Sequence, residues 1–232
     1  MINYIIASYA GYRRQHNVNY LKDHVKRLAD LSHSIDQITI VRPQVDMSIE
    51  KNPDQVNYGD QYYDIGIKSD RIVFLNRPYS DRSFGQYLFA YKEYRNKFDY
   101  YVIVEDDYLP NINNFDSIMI GLMKDNDYLC SHYGKLSLNA EDTYATIPNG
   151  IVKSAAFEKI LNNTIDYDTI FQNIPDGYEG VLFSSLFQKN GLKIGGFQDE
   201  YPAIYFHREC EWKTMEGKTE SVFVPWQILH SK

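Results

Sequence analysis

The chain has few of the features that mark secreted or membrane-spanning proteins. Its two cysteines, Cys130 and Cys210, are too few for a disulfide framework, and their spacing matches no metal-binding motif. No apolar run reaches the roughly 18 residues that a membrane helix needs, and residues 1–10 lack the basic lead of an export signal. These absences predict a protein without a membrane span in a reducing, cytoplasmic compartment.

Clustered positive charge is also missing. The chain has 24 lysine and arginine residues against 31 aspartate and glutamate residues, which gives a formal net charge of −7. Beyond the pair Arg13 and Arg14, the basic residues are scattered. Because binding to nucleic-acid phosphates requires clustered cations, no nucleic-acid partner is expected.

Internal repeats and low-complexity stretches are absent as well. The length of 232 residues is enough to bury one sizeable core. We therefore expect one domain over residues 1–207 and a short C-terminal tail over residues 208–232 that packs on it.

The first half of the chain alternates between predicted strands and helices. The apolar pattern predicts strands at residues 2–7, 37–41, 71–75 and 100–104, a helix within residues 17–31 and a second helix from Ser83 to Phe98. Residues 42–69 are polar and are punctuated by proline and glycine, which indicates an irregular insert. This alternation is typical of an α/β fold with a mostly parallel sheet, whose ligands bind beyond the carboxyl ends of the strands.

The second half alternates less regularly. Its apolar pattern predicts strands at residues 128–131, 193–197 and 203–207, and helices at residues 154–162 and 178–189. Gly191 is expected to end the last helix. The predicted α/β domain therefore extends to residue 207.

Three carboxylates directly follow one of the predicted strands. The run Tyr-Tyr-Val-Ile-Val at residues 100–104 leads into Glu105, Asp106 and Asp107. Adjacent carboxylates repel one another unless solvent, a cation or another positive group relieves the repulsion. Mg²⁺ and Mn²⁺ prefer such oxygen ligands, and either ion could bind a nucleotide diphosphate and stabilise it as a leaving group. The alternative is an acidic strand-to-loop turn that binds nothing.

This segment resembles the acidic motif of the GT-A glycosyltransferases, whose usual form is Asp-x-Asp. The form Glu-Asp-Asp after a valine- and isoleucine-rich strand is similar to that of the N-acetylglucosaminyltransferases that act on N-glycans. The resemblance implies a single GT-A domain, in which a Rossmann-like, mostly parallel sheet is flanked by helices. It also implies that Asp107 coordinates the metal, that Asp106 supports the metal or contacts the sugar, and that Glu105 contacts the ribose or the metal's waters.

Residues 76–86 resemble the polar loop that precedes a helix in this family and touches the donor. Arg82, Ser83 and Gly85 would then contact the nucleotide-sugar. Arg82 is the favoured partner of the diphosphate, because a guanidinium binds phosphate in a bidentate manner and helix N-termini also bind anions.

The first predicted loop occupies the position where the family holds the nucleoside. The resemblance therefore makes Ser8, Tyr9 and Arg13 candidate contacts of the donor. Arg13 and Arg208 are the other cationic candidates for the diphosphate. Residues 149–154, which include a glycine, resemble the acceptor-side segment of the family.

The resemblance also implies a catalytic base and a further metal ligand. Inverting members of the family carry a carboxylate at the start of a helix, commonly as Glu-Asp-x-x-Leu, and the spacing of Glu179 and Leu182 matches that pattern. Glu179 stands where the family has its catalytic Asp, and Asp176 is the alternative base. Both residues could instead cap the helix. In some GT-A enzymes a C-terminal histidine joins the metal, and His207 would take that role here.

These residues together predict a metal-dependent enzyme. It would transfer a sugar from a nucleotide-diphosphate sugar, expected to be a UDP-sugar, to a glycan or other hydroxyl acceptor with inversion. One alternative is a sugar nucleotidyltransferase, which normally has a glycine-rich first loop, whereas residues 8–14 contain one glycine. The other is a non-catalytic carbohydrate-binding protein on the same fold.

Overall fold

The computed structural model describes most of the chain between residues 1 and 207. The described residues are 1–8, 12–13, 20–43, 56–57, 63–77, 82–135, 143–145, 149–163, 179–197, 204–207, 212–213 and 219–220. At Arg13, Arg82, Glu179, His207 and a few other positions only the backbone is described. The predicted tail therefore lies outside the described residues, apart from two short strands.

The described residues form fifteen strands and five helices. The strands are β1 (Ile2–Ala7), β2 (Tyr12–Arg13), β3 (Gln37–Pro43), β4 (Val56–Asn57), β5 (Ile72–Arg77), β6 (Tyr100–Glu105), β7 (Tyr108–Pro110), β8 (Tyr128–Cys130), β9 (Tyr133–Lys135), β10 (Thr143–Ala145), β11 (Asn149–Lys153), β12 (Ile194–Gly196), β13 (Tyr205–His207), β14 (Trp212–Lys213) and β15 (Thr219–Glu220). The helices are α1 (Tyr20–Asp30), α2 (Arg82–Glu93), α3 (Phe115–Met123), α4 (Ser154–Asn163) and α5 (Glu179–Lys189). No helix in these described ranges is both long and apolar enough to cross a membrane.

Seven of the strands make the central sheet, in the order β12-β8-β11-β6-β1-β3-β5. The pairs β1–β3, β1–β6, β3–β5 and β8–β12 are parallel, whereas β11 runs antiparallel to both β6 and β8. The predicted α/β fold with a mostly parallel sheet is confirmed. The reversed strand is a feature that the sequence pattern did not indicate.

Helices cover both faces of the sheet because the side chains of each strand alternate between two cores. On β6, Tyr101 and Ile103 pack into one cluster with residues of α2, α4 and α5. Val102 and Val104 pack into the other cluster with residues of α1 and α3. A strand buried on both faces is a nearly continuous apolar run, which is why this strand could be located in the sequence.

Several boundaries differ from the predicted ones. Strand β3 continues to Pro43, which pairs with Arg77 at the edge of the sheet. Helix α2 ends at Glu93, before Phe98, and Asn96 then has a left-handed φ of 58°. Helix α3 was not predicted, because its sequence is apolar on nearly every side. At the end of α5, Gly191 has a φ of 63°, as expected of a residue that terminates a helix.

Candidate functional site

The acidic motif lies at the carboxyl edge of the central sheet, where β1 and β6 end side by side. Ala7 of β1 is paired with Glu105 of β6. The Ser83 hydroxyl, in the first turn of α2, donates a hydrogen bond to Oε1 of Glu105. Ser83 is buried and Glu105 is partly exposed. The structure thus brings together the first residue of the motif and the start of the helix that the sequence assigned to the donor.

Asp106 is held by the end of β1. The Ser8 hydroxyl donates a hydrogen bond of 2.9 Å to Oδ2 of Asp106, and the Asp106 N–H donates to the carbonyl of Ala7 at 3.3 Å. Ser8 and Asp106 are both fully buried. These two predicted donor contacts therefore bind each other, and their contact with a nucleotide-sugar stays a prediction.

A buried histidine contacts the same aspartate from α1. His24 Nδ1 lies 3.1 Å from the Asp106 carbonyl oxygen, and His24 Nε2 lies 2.8 Å from the Tyr4 hydroxyl. A carbonyl can only accept, so Nδ1 carries the proton and Nε2 accepts from Tyr4. Burial lowers the pKa of His24 to about 4, against the opposing effects of the Asp106 carbonyl and the Asp107 charge. The imidazole is therefore neutral near pH 7.

Sequence reasoning did not identify His24. The residue lies on the same apolar face of α1 as Leu21 and Leu28, three and four residues away. That position indicates burial, but nothing in the pattern identifies a partner on another element. Arg27 of the same helix is partly buried, and its guanidinium donates to the carbonyls of Pro110 at 3.2 Å and Asn111 at 2.9 Å.

Asp107 and His207 come close through the pairing of two short strands. Asp107 is 3% exposed and immediately precedes β7. Strand β13 pairs antiparallel with β7, and His207 is the register partner of Tyr108. The backbone of His207 therefore lies beside the residue that follows Asp107. Among the side chains that the structure describes, no three His, Cys, Asp or Glu groups converge as metal ligands, and the His207 side chain is not among them.

The helix that carries Glu179 reaches the same edge of the sheet. The rings of Phe84 in α2 and Phe183 in α5 make an edge-to-face contact with centroids 4.4 Å apart. Phe183 lies one helical turn after Glu179, and Phe84 is adjacent to Ser83. The starts of the two helices are therefore neighbours. The side chain of Glu179 is not described, and Asp176 lies outside the described residues.

A buried arginine joins β5 to α2. Arg77 Nη1 donates to the Gly85 carbonyl at 2.9 Å, and its guanidinium lies over the Phe89 ring at 5.2 Å. Arg77 is 3% exposed, so it fixes the start of α2 against the sheet. Arg77 lies within residues 76–86, which were predicted to contact the donor, but the sequence pattern indicated no role for it. Only the backbones of Arg13 and Arg82 are described, and Tyr9 and Arg208 lie outside the described residues.

The glycine-containing segment at residues 149–154 supplies strand β11, which passes directly beside the motif. Asn149 is paired with Val104, and Gly150 with Ile103. A Cβ atom on Gly150 would lie 2.6 Å from Tyr128 Cε2 and 2.8 Å from the Leu129 carbonyl oxygen. Glycine is required here because β8 and β11 approach each other closely. The acceptor-side role of the segment stays a prediction.

Comparison with known proteins identifies the fold. No protein-family profile matches the chain, and no curated protein matches it in sequence. The structure is similar to 4-diphosphocytidyl-2C-methyl-D-erythritol synthase from Anaerococcus prevotii, with a TM-score of 0.52 and 13% identity over 84% of this chain and 85% of that chain. It is also similar to a cytidylyltransferase from Leptospira borgpetersenii, with a TM-score of 0.51 and 15% identity over 84% and 74% of the two chains.

A third similar structure is a mannosyltransferase from Pyrobaculum calidifontis in complex with GDP-Man and Mn²⁺. Its TM-score is 0.54 with 7% identity, and the match covers 84% of this chain and 54% of that chain. At these identities the similarity establishes the fold alone. The chain has the α/β architecture that nucleotidyltransferases and GT-A glycosyltransferases share, as the sequence predicted.

Proposed function

We propose that this protein is a metal-dependent glycosyltransferase that uses a nucleotide-diphosphate sugar. The observation that carries the proposal is the buried Asp107 in the turn after β6. Asp107 follows Asp106 and directly precedes Tyr108, which pairs with His207 of β13. The resemblance of the Glu-Asp-Asp motif makes a UDP-sugar the expected donor and a glycan or other hydroxyl the expected acceptor. Cytoplasmic location remains part of this proposal.

The residues at this edge fit Mn²⁺ or Mg²⁺. Asp107 offers a carboxylate, and His207 would offer an imidazole, which Mn²⁺ accepts more readily than Mg²⁺ does. Two adjacent buried carboxylates also repel each other, so a cation beside them would stabilise the turn. When bound, the ion would neutralise the diphosphate as it leaves.

The donor would lie over the carboxyl end of β6 and the start of α2, which meet at the same edge of the sheet. Ser83 holds the Glu105 carboxylate in one orientation, and Glu105 remains partly exposed, so it is suited to accept a hydrogen bond from a ribose hydroxyl or a metal-bound water. The first turn of a helix favours an anion, because its N–H groups have no partner within the helix. Arg82, the first residue of α2, would add a guanidinium for the diphosphate.

Glu179 is our choice for the general base of an inverting transfer. It is the first residue of α5, whose start packs beside the start of α2 through Phe183 and Phe84. A carboxylate on the acceptor side can take the proton of the attacking hydroxyl while the diphosphate leaves from the opposite face. Asp176 remains the competing choice.

A sugar nucleotidyltransferase is the second candidate. Two of the similar structures are nucleotidyltransferases or related synthases, and this favours the alternative at the level of fold. Against it, residues 8–14 contain one glycine, whereas nucleotidyltransferases normally have a glycine-rich first loop with basic residues. The third candidate is a carbohydrate-binding protein without turnover.

Calorimetry and product analysis separate these candidates. UDP, GDP and CDP are titrated into the protein with and without Mn²⁺, and we expect Asp107→Asn to abolish the Mn²⁺-dependent binding. Asp125→Asn, at an exposed carboxylate in the turn after α3, is the matched control. Unchanged Mn²⁺-dependent binding in Asp107→Asn would refute the metal role.

The products then identify the reaction. A glycosyltransferase without acceptor slowly hydrolyses its nucleotide-sugar to the nucleoside diphosphate and free sugar. A nucleotidyltransferase instead consumes a nucleoside triphosphate and a sugar 1-phosphate and releases pyrophosphate. Binding without either reaction would support the carbohydrate-binding protein.

A further inference from the structure

We propose that His24 is a positioning residue for the acidic motif, and that Tyr4 keeps its imidazole in the orientation and tautomer this requires. The proposal rests on the function proposed above, because it concerns how Asp107 is presented to a cation. His24 does not touch the donor or the ion. It acts through the peptide that joins Asp106 to Asp107.

The planar peptide bond transmits the position of one atom to the next residue. His24 binds the Asp106 carbonyl oxygen, and that oxygen lies in the same rigid plane as the nitrogen and Cα of Asp107. Asp106 is also held by its N–H, through Ala7, and by its side chain, through Ser8. Asp106 is thus fixed on three sides, and the His24 contact is the one nearest to Asp107.

The hydrogen bonds define which ring nitrogen of His24 carries the proton. Nδ1 must donate to the carbonyl, so Nε2 is left as an acceptor, and the Tyr4 hydroxyl is its donor. Tyr4 and His24 are both fully buried, so water does not compete for either bond. Burial also raises the pKa of Tyr4, which keeps its hydroxyl protonated as the donor.

Tyr4 links this contact to the strand that carries His207. The Phe115 ring makes edge-to-face contacts with Tyr4, at 5.9 Å between centroids, and with Tyr205 of β13, at 5.8 Å. One aromatic cluster therefore supports both sides of the proposed metal site. Removal of a residue that orients a metal ligand without binding the metal typically lowers metal affinity by about 10- to 100-fold.

Two substitutions of His24 separate positioning from packing. Asparagine places an amide N–H near the position of Nδ1, so His24→Asn keeps a donor for the Asp106 carbonyl. Glutamine reaches the position of Nε2, so His24→Gln keeps a partner for Tyr4 and loses the donor. Both side chains are smaller than that of histidine, so both variants should lose stability through imperfect packing. Tyr4→Phe removes the hydroxyl and leaves the ring in place.

The variants are compared by hydrogen exchange over residues 102–110 and by calorimetric titration with Mn²⁺ and UDP. We expect His24→Gln to speed exchange in the acidic turn and to weaken Mn²⁺ binding about 10- to 100-fold relative to His24→Asn. Tyr4→Phe should also speed exchange in the acidic turn and weaken Mn²⁺ binding, but by less than His24→Gln does. Equal exchange and equal Mn²⁺ affinity in the two His24 variants, with only a lower Tm, would overturn the proposal.

Hydrogen exchange also separates this proposal from the proposed function. If the unsubstituted protein shows no Mn²⁺-dependent nucleotide binding, the proposed function fails. A selective rise of exchange in the acidic turn of His24→Gln would then still support the positioning role, and its absence would refute that role. If Mn²⁺ binding is present and identical in all variants, the positioning role alone fails.

Discussion

Ser83 and Glu105, which are 22 residues apart in the sequence, are joined by a hydrogen bond from hydroxyl to carboxylate. The contact connects the first turn of α2 to the last residue of β6. Both elements have to end or begin at the same edge of the sheet for the bond to form. The two residues therefore report directly on whether that edge is correctly assembled.

A double-mutant cycle on Ser83→Ala and Glu105→Ala should reveal this coupling. Hydrogen bonds to charged groups contribute about 1.5 to 3 kcal/mol, so each single variant should be less stable, and the double variant should lose less than the sum. Urea unfolding monitored by circular dichroism measures the four stabilities. Strict additivity of the two losses would contradict the contact.

Glu179→Gln tests the proposed base. If Glu179 takes the acceptor proton, the substitution should slow sugar transfer by roughly 100-fold or more and leave nucleotide binding unchanged, because glutamine has the same size but cannot accept the proton. Initial rates and calorimetry measure the two properties. Asp176→Asn is the matched control. Retention of the anomeric configuration, or loss of activity in Asp176→Asn alone, would refute the assignment.

Gly150→Ala should destabilise the fold. Its Cβ would lie 2.6 Å from the Tyr128 ring and 2.8 Å from a backbone oxygen, so β8 and β11 would have to separate, at a cost of about 1 to 3 kcal/mol. Gly121→Ala is the control, because nothing lies within 4 Å of a Cβ atom at that exposed helical position. The control should be neutral or more stable by up to about 1 kcal/mol. A similar Tm for both variants would show that the strands separate easily.

The contacts of Glu158 in α4 with Tyr91 of α2 and with Arg95, two residues past the end of α2, should make stability depend on pH. The hydrogen bond from Arg95, with further bonds from Tyr91 and Asn162, lowers the pKa of Glu158 from 4.5 to about 2. The folded state therefore favours the ionised carboxylate, and this contribution is complete above pH 4.5 and is lost as pH falls towards 2.

Glu158→Gln isolates that contribution. The difference in unfolding free energy between the parent protein and the variant should be largest near pH 6 and should shrink between pH 4.5 and 3. Denaturant titrations at pH 6 and pH 3 measure it. A difference that stays constant across this range would mean that Glu158 does not titrate as described. Arg95 is about half exposed, so the effect should also weaken with salt.

The elements that place the acidic motif could be predicted because burial leaves a simple pattern. Strands β1 and β6 are apolar runs that lead directly into polar residues, and the apolar stripe of α2 follows Ser83, one residue after the helix begins. Two strands that end at one edge bring their last residues together. The proximity of Ser8 and the acidic motif follows from that rule.

The contacts that orient the motif could not be predicted, because they depend on partners far apart in sequence. His24 and Asp106 are 82 residues apart, and a histidine on an apolar helix face looks the same whether it binds a carbonyl or packs in a core. The buried Arg77 carries the same ambiguity, since most arginines in loops are solvated. The direction of β11 depends on how residues before it return to the sheet.

The reversed direction of β11 also decides where the protein can be altered for practical purposes. Its amino end at Asn149, rather than its carboxyl end at Lys153, lies beside the acidic motif. A peptide grafted immediately before Asn149 would be attached beside the acidic motif, so under the proposed function this position suits libraries that aim to change the acceptor. A fluorescent label on the exposed Ala155, just past Lys153, would lie at the opposite edge and leave the site accessible.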